Sequence, residues 1–375
     1  MYKNILVYLR KIILRFEKYL KKLEQAIYCK YHIVGGKRFL KNNKIKIRNY
    51  DMVYVNKIKE YLNKHFKGYD NPMWHLYYYS MNRIQRIEYI PPDLWFGRIV
   101  SRVNPEHERL AYGDKNKYDL FLKDIKRPMT LARIYSGKIF DMNYNMIDSD
   151  QFKDIVLRNG DNKYIVIKKS INSGGGKDII VNTAEYFLKN LFIIKDRIES
   201  KKEYIVQAYV NQSKVMSELN SSSLNTIKIL TTRVNGDIKI VSPIMRIGGM
   251  NSIVDNISHG GIAVGINDEG YLNKYGVTNK GGISYKHPDH GYKFENILIP
   301  GFSKAKRVAE SIHRKLKDIT MVGFDMAIEE SGEPVLIEMN FRYIGIHNHQ
   351  ICNGPLFKDN TYEVLQYFKE INIID

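Results

Sequence analysis

Two carboxylates near the end of the chain have the types and spacing of a metal site. Two apolar-rich runs flank Ser331-Gly332, which is a two-residue turn signal. In a hairpin with that turn, Asp325 and Glu338 face each other, and Asn340 lies on the same face. Opposed carboxylates on neighbouring strands are roughly 5 Å apart and repel each other unless a cation or a proton separates them. The pattern therefore predicts a Mg²⁺ site with its attendant phosphates. The alternative is an exposed acidic strand face screened by lysines.

A glycine-rich loop lies upstream of this hairpin, between two predicted strands. Its residues are Ser173, Gly174, Gly175 and Gly176. Glycines lack a Cβ, so their backbone N–H groups can approach a polyphosphate closely. Lys168, at the end of the preceding strand, would place a cation beside those oxygens. The loop matches neither the Walker pattern nor the dinucleotide fingerprint, and a flexible hairpin loop remains its alternative. Together, loop, lysine and metal ligands predict an ATP site.

The order of these motifs resembles the ATP-grasp superfamily, and most closely its sugar-transfer-associated branch. The positions that match are Lys115 in GDK, Lys168 in VIKKS, the loop 173–176, the hinge strand YIVQAYV with Gln207, Ala208, Tyr209 and Val210 beside the adenine, and the metal ligands Asp325, Glu338 and Asn340. The branch assignment depends on SLNTIKILT (223–231), RIGGMNSIVDNISHGGIAVGI (246–266), HPDHG (287–291) and YIPPDLWFGRIVSRVNP (89–105). Departures from the branch pattern are Lys169, Lys228 and His290.

The resemblance implies an ATP- and Mg²⁺-dependent carboxylate–amine ligase that works through an acyl phosphate in surface polysaccharide biosynthesis or modification. Its partners would be a small-molecule carboxylate, such as a sugar acid, and an amine, or a lipid-linked glycan. Arg246 and Arg342 are candidates for gripping the acyl phosphate, because guanidinium matches that geometry; ordinary ion pairs are the alternative. Asn225, His287 and Asp289 are the implied substrate-binding residues.

Two other functions remain open. A kinase with the same fold would phosphorylate a sugar or polyol hydroxyl. A non-catalytic basic protein would bind a membrane or nucleic acid without turning over ATP.

The charge of the chain is concentrated near its start. The formal net charge is +19, and residues 1–70 hold 18 Lys/Arg against 5 Asp/Glu. The remainder is nearly balanced, so the sequence predicts no nucleic-acid partner. Cys29 and Cys352 form neither a metal pattern nor a disulfide framework. No convincing signal peptide or spanning apolar run is present, and a reducing, cytoplasmic location is expected.

Residues 3–28 are predicted to form a basic amphipathic helix. Its apolar stripe consists of Ile5, Tyr8, Ile12, Phe16, Tyr19, Leu23 and Ile27, at spacings of three and four. Such a helix can lie on an anionic membrane at its inner face. The alternative is that the stripe packs on its own domain or on a second subunit, and the oligomeric state is left open.

The pattern of elements predicts an α+β protein with the ATP-grasp fold, in which two α+β subdomains clasp a nucleotide. Predicted boundaries are 1–85 for the basic helical region, 86–212 for the first subdomain and 213–375 for the second. Asn235-Gly236 predicts a hairpin turn. Residues 303–317 predict an amphipathic helix capped by Ser303, and Asp255-Asn256 indicates a further turn near the site.

Overall fold

The computed structural model describes residues 2–158, 164–171, 178–257, 260–278, 282–342 and 344–374. In chain order, its α-helices are α1 (Tyr2–Asn42), α2 (Met52–His65), α3 (Met73–Asn82), α4 (Pro92–Leu94), α5 (Glu106–Tyr112), α6 (Tyr118–Phe121), α7 (Ser149–Arg158), α8 (Ala184–Lys189), α9 (Phe192–Glu199), α10 (Lys214–Leu219), α11 (Phe302–Lys315), α12 (His347–Asn353) and α13 (Thr361–Glu370). The strands are β1 (Thr130–Tyr135), β2 (Lys138–Phe140), β3 (Met146–Ile147), β4 (Tyr164–Lys169), β5 (Ile180–Thr183), β6 (Tyr204–Ala208), β7 (Thr226–Val234), β8 (Asp237–Ile247), β9 (Ile262–Ile266), β10 (Leu272–Thr278), β11 (Ile283–Ser284), β12 (Met321–Ile328) and β13 (Pro334–Asn340).

The chain divides into two compact units, Met1–Val103 with Gly345–Asp375, and Asn104–Ile344. The predicted boundaries at residues 85 and 212 stay a prediction. None of the helices in the described part of the chain combines the length and the apolar character that a membrane crossing requires.

The first unit is helical, with an aromatic core. Trp74, Tyr77 and Tyr78 of α3 are buried, and His347 of α12 stacks on Tyr77 with ring centroids 5.6 Å apart. His347 and His349 both lie on α12, and His349 is buried.

Helix α1 is longer than the sequence predicted, because it continues past residue 28 to Asn42. Gly35 and Gly36 do not end it. A Cβ at Gly36 would lie 3.0 Å from Cζ2 of Trp74, so the missing side chain allows the helix to pack closely on α3. Phe39 also contacts Trp74, with ring centroids 5.8 Å apart.

The second unit contains two antiparallel sheets. The first has the strand order β3-β2-β1-β6-β4-β5 and the second has the order β11-β10-β9-β8-β7-β12-β13. Isoleucine and valine make up half of β4, and β-branched residues make up six of the nine in β7, as expected for strands buried on a pleated surface. The β7–β8 turn at Asn235-Gly236 is confirmed, and both residues have positive φ (51° and 90°).

The two sheets have separate apolar cores. Helices α7, α8 and α9 cover the first sheet through residues such as Phe152, Phe187 and Ile194. Helix α11 covers the second sheet with Ala305, Ala309 and Ile312. The predicted inward face of α11 is confirmed. The predicted Ser303 cap is wrong, because Gly301 occupies the N-cap position and no side chain caps the helix.

The β12–β13 hairpin has a three-residue loop where a two-residue turn was predicted. The amide of Glu329 donates to the carbonyl oxygen of Glu333 at 3.0 Å, which leaves residues 330–332 as the loop. Gly332 has φ +81°, the left-handed conformation that closes common three-residue loops. The predicted turn is therefore too short by one residue.

A β-bulge compensates for this extra residue. Met326 pairs with Leu336, whereas Asp325 pairs with Glu338. The amide of Leu336 donates outside the sheet, to the carbonyl oxygen of Lys126 at 2.9 Å. The bulge shifts the register by one residue, and the predicted pairing of Asp325 with Glu338 is confirmed.

Candidate active site

A cleft between the two sheets of the second unit gathers most of the predicted site residues. Ten residues of the predicted set line this one cavity: Lys115, Lys168, Gln207, Ala208, Tyr209, Val210, Arg246, Asp325, Glu338 and Asn340. These residues come from six separate stretches of the chain, so the fold brings together what the sequence keeps apart.

One wall of the cleft is apolar. Val166, Val181, Leu224 and Ile337 line it beside the end of β6. The amide of Ala208 donates to the carbonyl oxygen of Met129 at 2.9 Å, which fixes the backbone of this segment. A flat aromatic ring could be buried between such side chains and the edge of the strand. This wall is where the predicted adenine segment lies.

The opposite end of the cleft holds the carboxylate pair. Asp325 is 6% exposed, and a buried ionised carboxylate needs compensating charge. Nζ of Lys228 lies 2.9 Å from Oδ1 of Asp325, and Nη2 of Arg246 lies 3.0 Å from Oδ2. Burial alone would raise the pKa of Asp325, but Arg246 and Lys228 outweigh it and hold the pKa at about 2.

Sheet pairing explains why these basic groups reach Asp325. Lys228 on β7 pairs directly with Asp325 on β12, and Arg246 on β8 pairs with Thr226 at the start of β7. Arg246 also pairs with a second carboxylate, because its Nη2 lies 3.2 Å from Oδ2 of Asp255. The two carboxylates hold the pKa of Arg246 above its usual value despite burial. Sequence reasoning treated Lys228 only as a departure from the branch pattern and Asp255 as a turn residue.

Two lysines border the other carboxylate. Nζ of Lys115 lies 2.8 Å from Oε1 of Glu338. Lys115 begins a short 3₁₀ turn, in which the side chain of Asp114 accepts from the amide of Asn116. Lys168 is the penultimate residue of β4 and is 7% exposed. Burial, reinforced by the charge of Lys115, lowers the pKa of Lys168 to about 8. This end of the cleft is therefore cationic and partly desolvated, which suits phosphate oxygens.

The donor set beside these lysines fits Mg²⁺. Asp325 and Glu338 face each other across the bulged hairpin, and Nδ2 of Asn340 donates to Oδ2 of Asp325 at 3.2 Å. A half-turn of that amide would present its oxygen at the same place. In the part of the chain that the structure describes, no three His, Cys, Asp or Glu side chains cluster as metal ligands. A hard cation here would therefore use the two carboxylates and the amide oxygen.

Arg342 does not line this cleft. It is exposed and lines a smaller cavity with Arg109, Glu338 and Asn340. The glycine-rich loop, Ser173 to Gly176, lies outside the described residues, so its predicted contact with phosphate stays a prediction.

Two of the implied substrate-binding residues form hydrogen bonds inside the protein. The side-chain amide of Asn225 uses all four of its hydrogen-bonding positions inside the protein. Its nitrogen donates to the carbonyl oxygens of Met216 and Asn220, and its oxygen accepts from Gly248 N–H and the Ser223 hydroxyl. Asn225 is fully buried, which gives it a structural role here, and its contact with substrate stays a prediction.

His287 is also held by hydrogen bonds within the protein. It is fully buried, and its Nε2 lies 2.9 Å from the carbonyl oxygen of Gly248. Its Nδ1 accepts from the amides of Asp289 and His290, so Nε2 carries the proton. These bonds give His287 a structural role, and its contact with substrate stays a prediction. Asp289 is exposed and accepts from the amide of Met250 at 2.6 Å, which ties the same two loops together.

Comparison with known proteins gives one family match. The model of the sugar-transfer associated ATP-grasp family matches residues 97–365, which is well over half of the chain. No curated protein matches the sequence.

Solved structures with a similar fold come from several enzymes. D-alanyl-alanine synthetase A from Vibrio cholerae is 12% identical, with a TM-score of 0.44 over 72% of this chain and 67% of that one. Biotin carboxylase from Campylobacter jejuni is 11% identical, with a TM-score of 0.46 over 71% of this chain and 48% of that one. N5-carboxyaminoimidazole ribonucleotide synthetase from Thermotoga maritima is 14% identical, with a TM-score of 0.40 over 72% of this chain and 52% of that one. The chain thus spans about half the length of the last two. These likenesses are too distant to assign a substrate.

Proposed function

Because this chain belongs to the sugar-transfer associated ATP-grasp family, we propose that it is an ATP- and Mg²⁺-dependent carboxylate–amine ligase. The observation that carries the proposal is the single cleft in which Lys115, Lys168 and the Asp325–Glu338 pair meet an apolar wall. An apolar slot, a cationic centre and a pair of hard carboxylates are the three parts that a nucleotide triphosphate with its metal requires.

Each part has a defined task in the proposed reaction. Val166, Leu224 and Ile337 would exclude water from the base of the nucleotide. Lys115 and Lys168 would bind phosphate oxygens. Asp325, Glu338 and Asn340 would hold Mg²⁺, which when bound supplies charge neutralisation for the transferred phosphoryl group.

The proposed chemistry proceeds in two balanced steps. A carboxylate oxygen of the acceptor attacks the γ-phosphorus of ATP, forming an acyl phosphate and releasing ADP. An amine nitrogen then attacks the acyl carbon, forming an amide, and inorganic phosphate leaves while the amine gives up a proton. Arg246 and Arg342 flank the carboxylate pair, where they would stabilise the charge that develops on the acyl phosphate.

Trapping the intermediate tests this proposal. Hydroxylamine, supplied in place of the amine, should capture an acyl phosphate as a hydroxamate that mass spectrometry identifies, with one phosphate released per hydroxamate. Screening sugar acids and amino acids as acceptors would reveal the carboxylate substrate. A stable phosphate ester that forms without any amine would instead assign the kinase alternative.

Two substitutions test the metal ligands. We expect Asp325→Asn and Glu338→Gln each to reduce Mg²⁺-dependent ATP turnover at least about 100-fold, the loss that removal of one preorganised electrostatic group produces. Thermal unfolding followed by circular dichroism is the control for the fold. Full Mg²⁺-dependent turnover in both variants would show that the metal assignment is wrong.

We also propose a sugar acid or a lipid-linked glycan as the acceptor, in the synthesis or modification of a surface polysaccharide. Support for this finer assignment comes from the family's sugar-transfer association and from the cationic first 70 residues. These two features together favour action at the cytoplasmic face of a membrane.

A further inference from the structure

Helix α1 carries an unusual number of exposed apolar side chains. Six of them belong to the predicted stripe: Tyr8 (66% exposed), Ile12 (46%), Phe16 (59%), Tyr19 (62%), Leu23 (45%) and Ile27 (62%). Leu9, Ile13 and Leu20 on the same helix are also exposed. Soluble surfaces rarely keep so much contiguous apolar area without a partner. The predicted alternative that the stripe packs on its own domain is therefore wrong for these residues.

The stripe lies along one side of the helix. At about 100° per residue, these nine positions fall within an arc of roughly 140°. Six of the nine, Leu9, Ile13, Phe16, Leu20, Leu23 and Ile27, follow the alternating spacing of four and three that a left-handed coiled coil also uses. Tyr8, Ile12 and Tyr19 widen the stripe beyond the narrow seam of such a helical pair. Two copies of this basic helix would also repel each other, so the stripe suits an anionic surface better than a second copy.

The far end of the helix is anchored, so the stripe is held on a fixed element. His32 stacks on Phe96 with ring centroids 4.6 Å apart, and Leu40 is buried. The stripe also continues into an apolar groove of the first unit, which is lined by Ile27, Tyr31, Val34, Phe39, Trp74 and Phe96. The exposed apolar surface thus extends from the projecting part of α1 to its anchored part.

Basic residues flank the stripe. Arg10, Lys11 and Arg15 are exposed, and Lys11 and Arg15 lie along one border of the apolar arc. Long basic side chains at such a border can reach the headgroups while the apolar residues enter the interface. The charge of residues 1–70 matches an anionic surface and would be repelled by a cationic one.

We infer that residues 8–34 of α1 form a docking surface for an anionic phospholipid bilayer, on which the helix lies parallel to the membrane plane. The inference is independent of the ligase chemistry, because vesicle binding requires neither ATP nor an acceptor. A failure of one proposal therefore leaves the other standing.

Leu14 and Leu23 provide a matched pair of variants. They are nine residues apart, so they project from opposite sides of α1, and they are similarly exposed (54% and 45%). We expect Leu23→Gln to lower the partition coefficient for vesicles of mixed phosphatidylcholine and phosphatidylglycerol about tenfold, because a buried leucine contact is lost. Leu14→Gln should change it less than about twofold. Glutamine favours helix and both positions are exposed, so circular dichroism should show the same helix content in both.

The charge is tested in the same flotation assay on the full chain. Lys11→Gln/Arg15→Gln should lower the partition coefficient about tenfold or more, since each basic residue near such a surface contributes about a fivefold factor. Raising the salt from about 0.1 M to about 1 M should have a similar effect on the unaltered protein. Three results would overturn the inference: no binding of the unaltered protein to anionic vesicles, equal effects of the two leucine variants, or a dimer in light scattering that Leu23→Gln dissociates and that does not bind vesicles.

Discussion

The pH dependence of ATP binding tests the position assigned to Lys168. Burial and the neighbouring charge of Lys115 lower the pKa of Lys168 from 10.5 to about 8. At 1.36 kcal/mol per pKa unit, the site disfavours the ammonium by about 3 kcal/mol. A triphosphate beside Lys168 would reverse this, because a nearby negative charge stabilises the protonated form. The nucleotide should therefore raise the pKa of Lys168 back toward its usual value.

The direction of the pH effect follows from this difference. Below about pH 8 Lys168 is protonated with or without ATP, so the affinity should be constant. Above about pH 8 the free protein loses the proton and the complex keeps it, so the dissociation constant should rise about tenfold per pH unit. Phosphate groups titrate near pH 6, so the nucleotide itself adds little to this slope.

Calorimetric titration measures both consequences. At about pH 8, binding should take up roughly half a proton, seen as a dependence of the measured enthalpy on the ionisation enthalpy of the buffer. Lys168→Arg is the control, because guanidinium stays charged throughout this range, and its affinity should not vary with pH above 8. Constant affinity of the unaltered protein from about pH 7 to 9, with no proton uptake, would refute the assignment of Lys168 to the phosphates.

Three substitutions concern stability. Asn225→Ala should lower the free energy of unfolding by about 2–5 kcal/mol in urea titrations, because it leaves several buried partners unsatisfied. A raised acceptor KM with unchanged stability would instead support a substrate-binding role for Asn225. Gly301→Ala should cost more than about 2 kcal/mol, because its φ is +66° and its Cβ would meet the carbonyl oxygen of Gly332. Gly332→Ala should cost only about 1 kcal/mol, since φ is +81° but nothing lies within 4 Å of the added Cβ. Equal losses in the two glycine variants would contradict the steric explanation.

The family resemblance and the α+β ATP-grasp fold predicted from the sequence are confirmed by the family match. Local sequence patterns gave correct predictions where the interacting residues lie close together in the chain. The alternation around Asp325 and Glu338 predicted their pairing, and Asn235-Gly236 predicted its turn. Sequence alone could not show the bulge, because it depends on the bond between Leu336 and the distant carbonyl of Lys126.

Long-range partners determine features that the local sequence does not show. Gly35 and Gly36 would weaken an isolated helix, yet α1 continues through them, and Trp74 packs where a side chain at Gly36 would lie. Asn225 and His287 occupy family-like stretches, and both side chains form hydrogen bonds with the backbone of Gly248. Nothing in the local pattern around either residue distinguishes a buried scaffold amide from one that faces substrate.

Basic side chains of the protein neutralise the carboxylate pair before any ligand binds. Facing carboxylates repel each other unless a cation or a proton separates them. In this structure Lys228 and Arg246 neutralise Asp325 while Lys115 neutralises Glu338. A divalent ion must therefore compete with ammonium and guanidinium groups for the same oxygens. A triphosphate removes that competition, because its own oxygens can take over the displaced basic side chains. Metal and nucleotide should consequently bind together more favourably than either binds alone. In that complex, the basic residues that oppose the metal in the free protein would bind the phosphate oxygens.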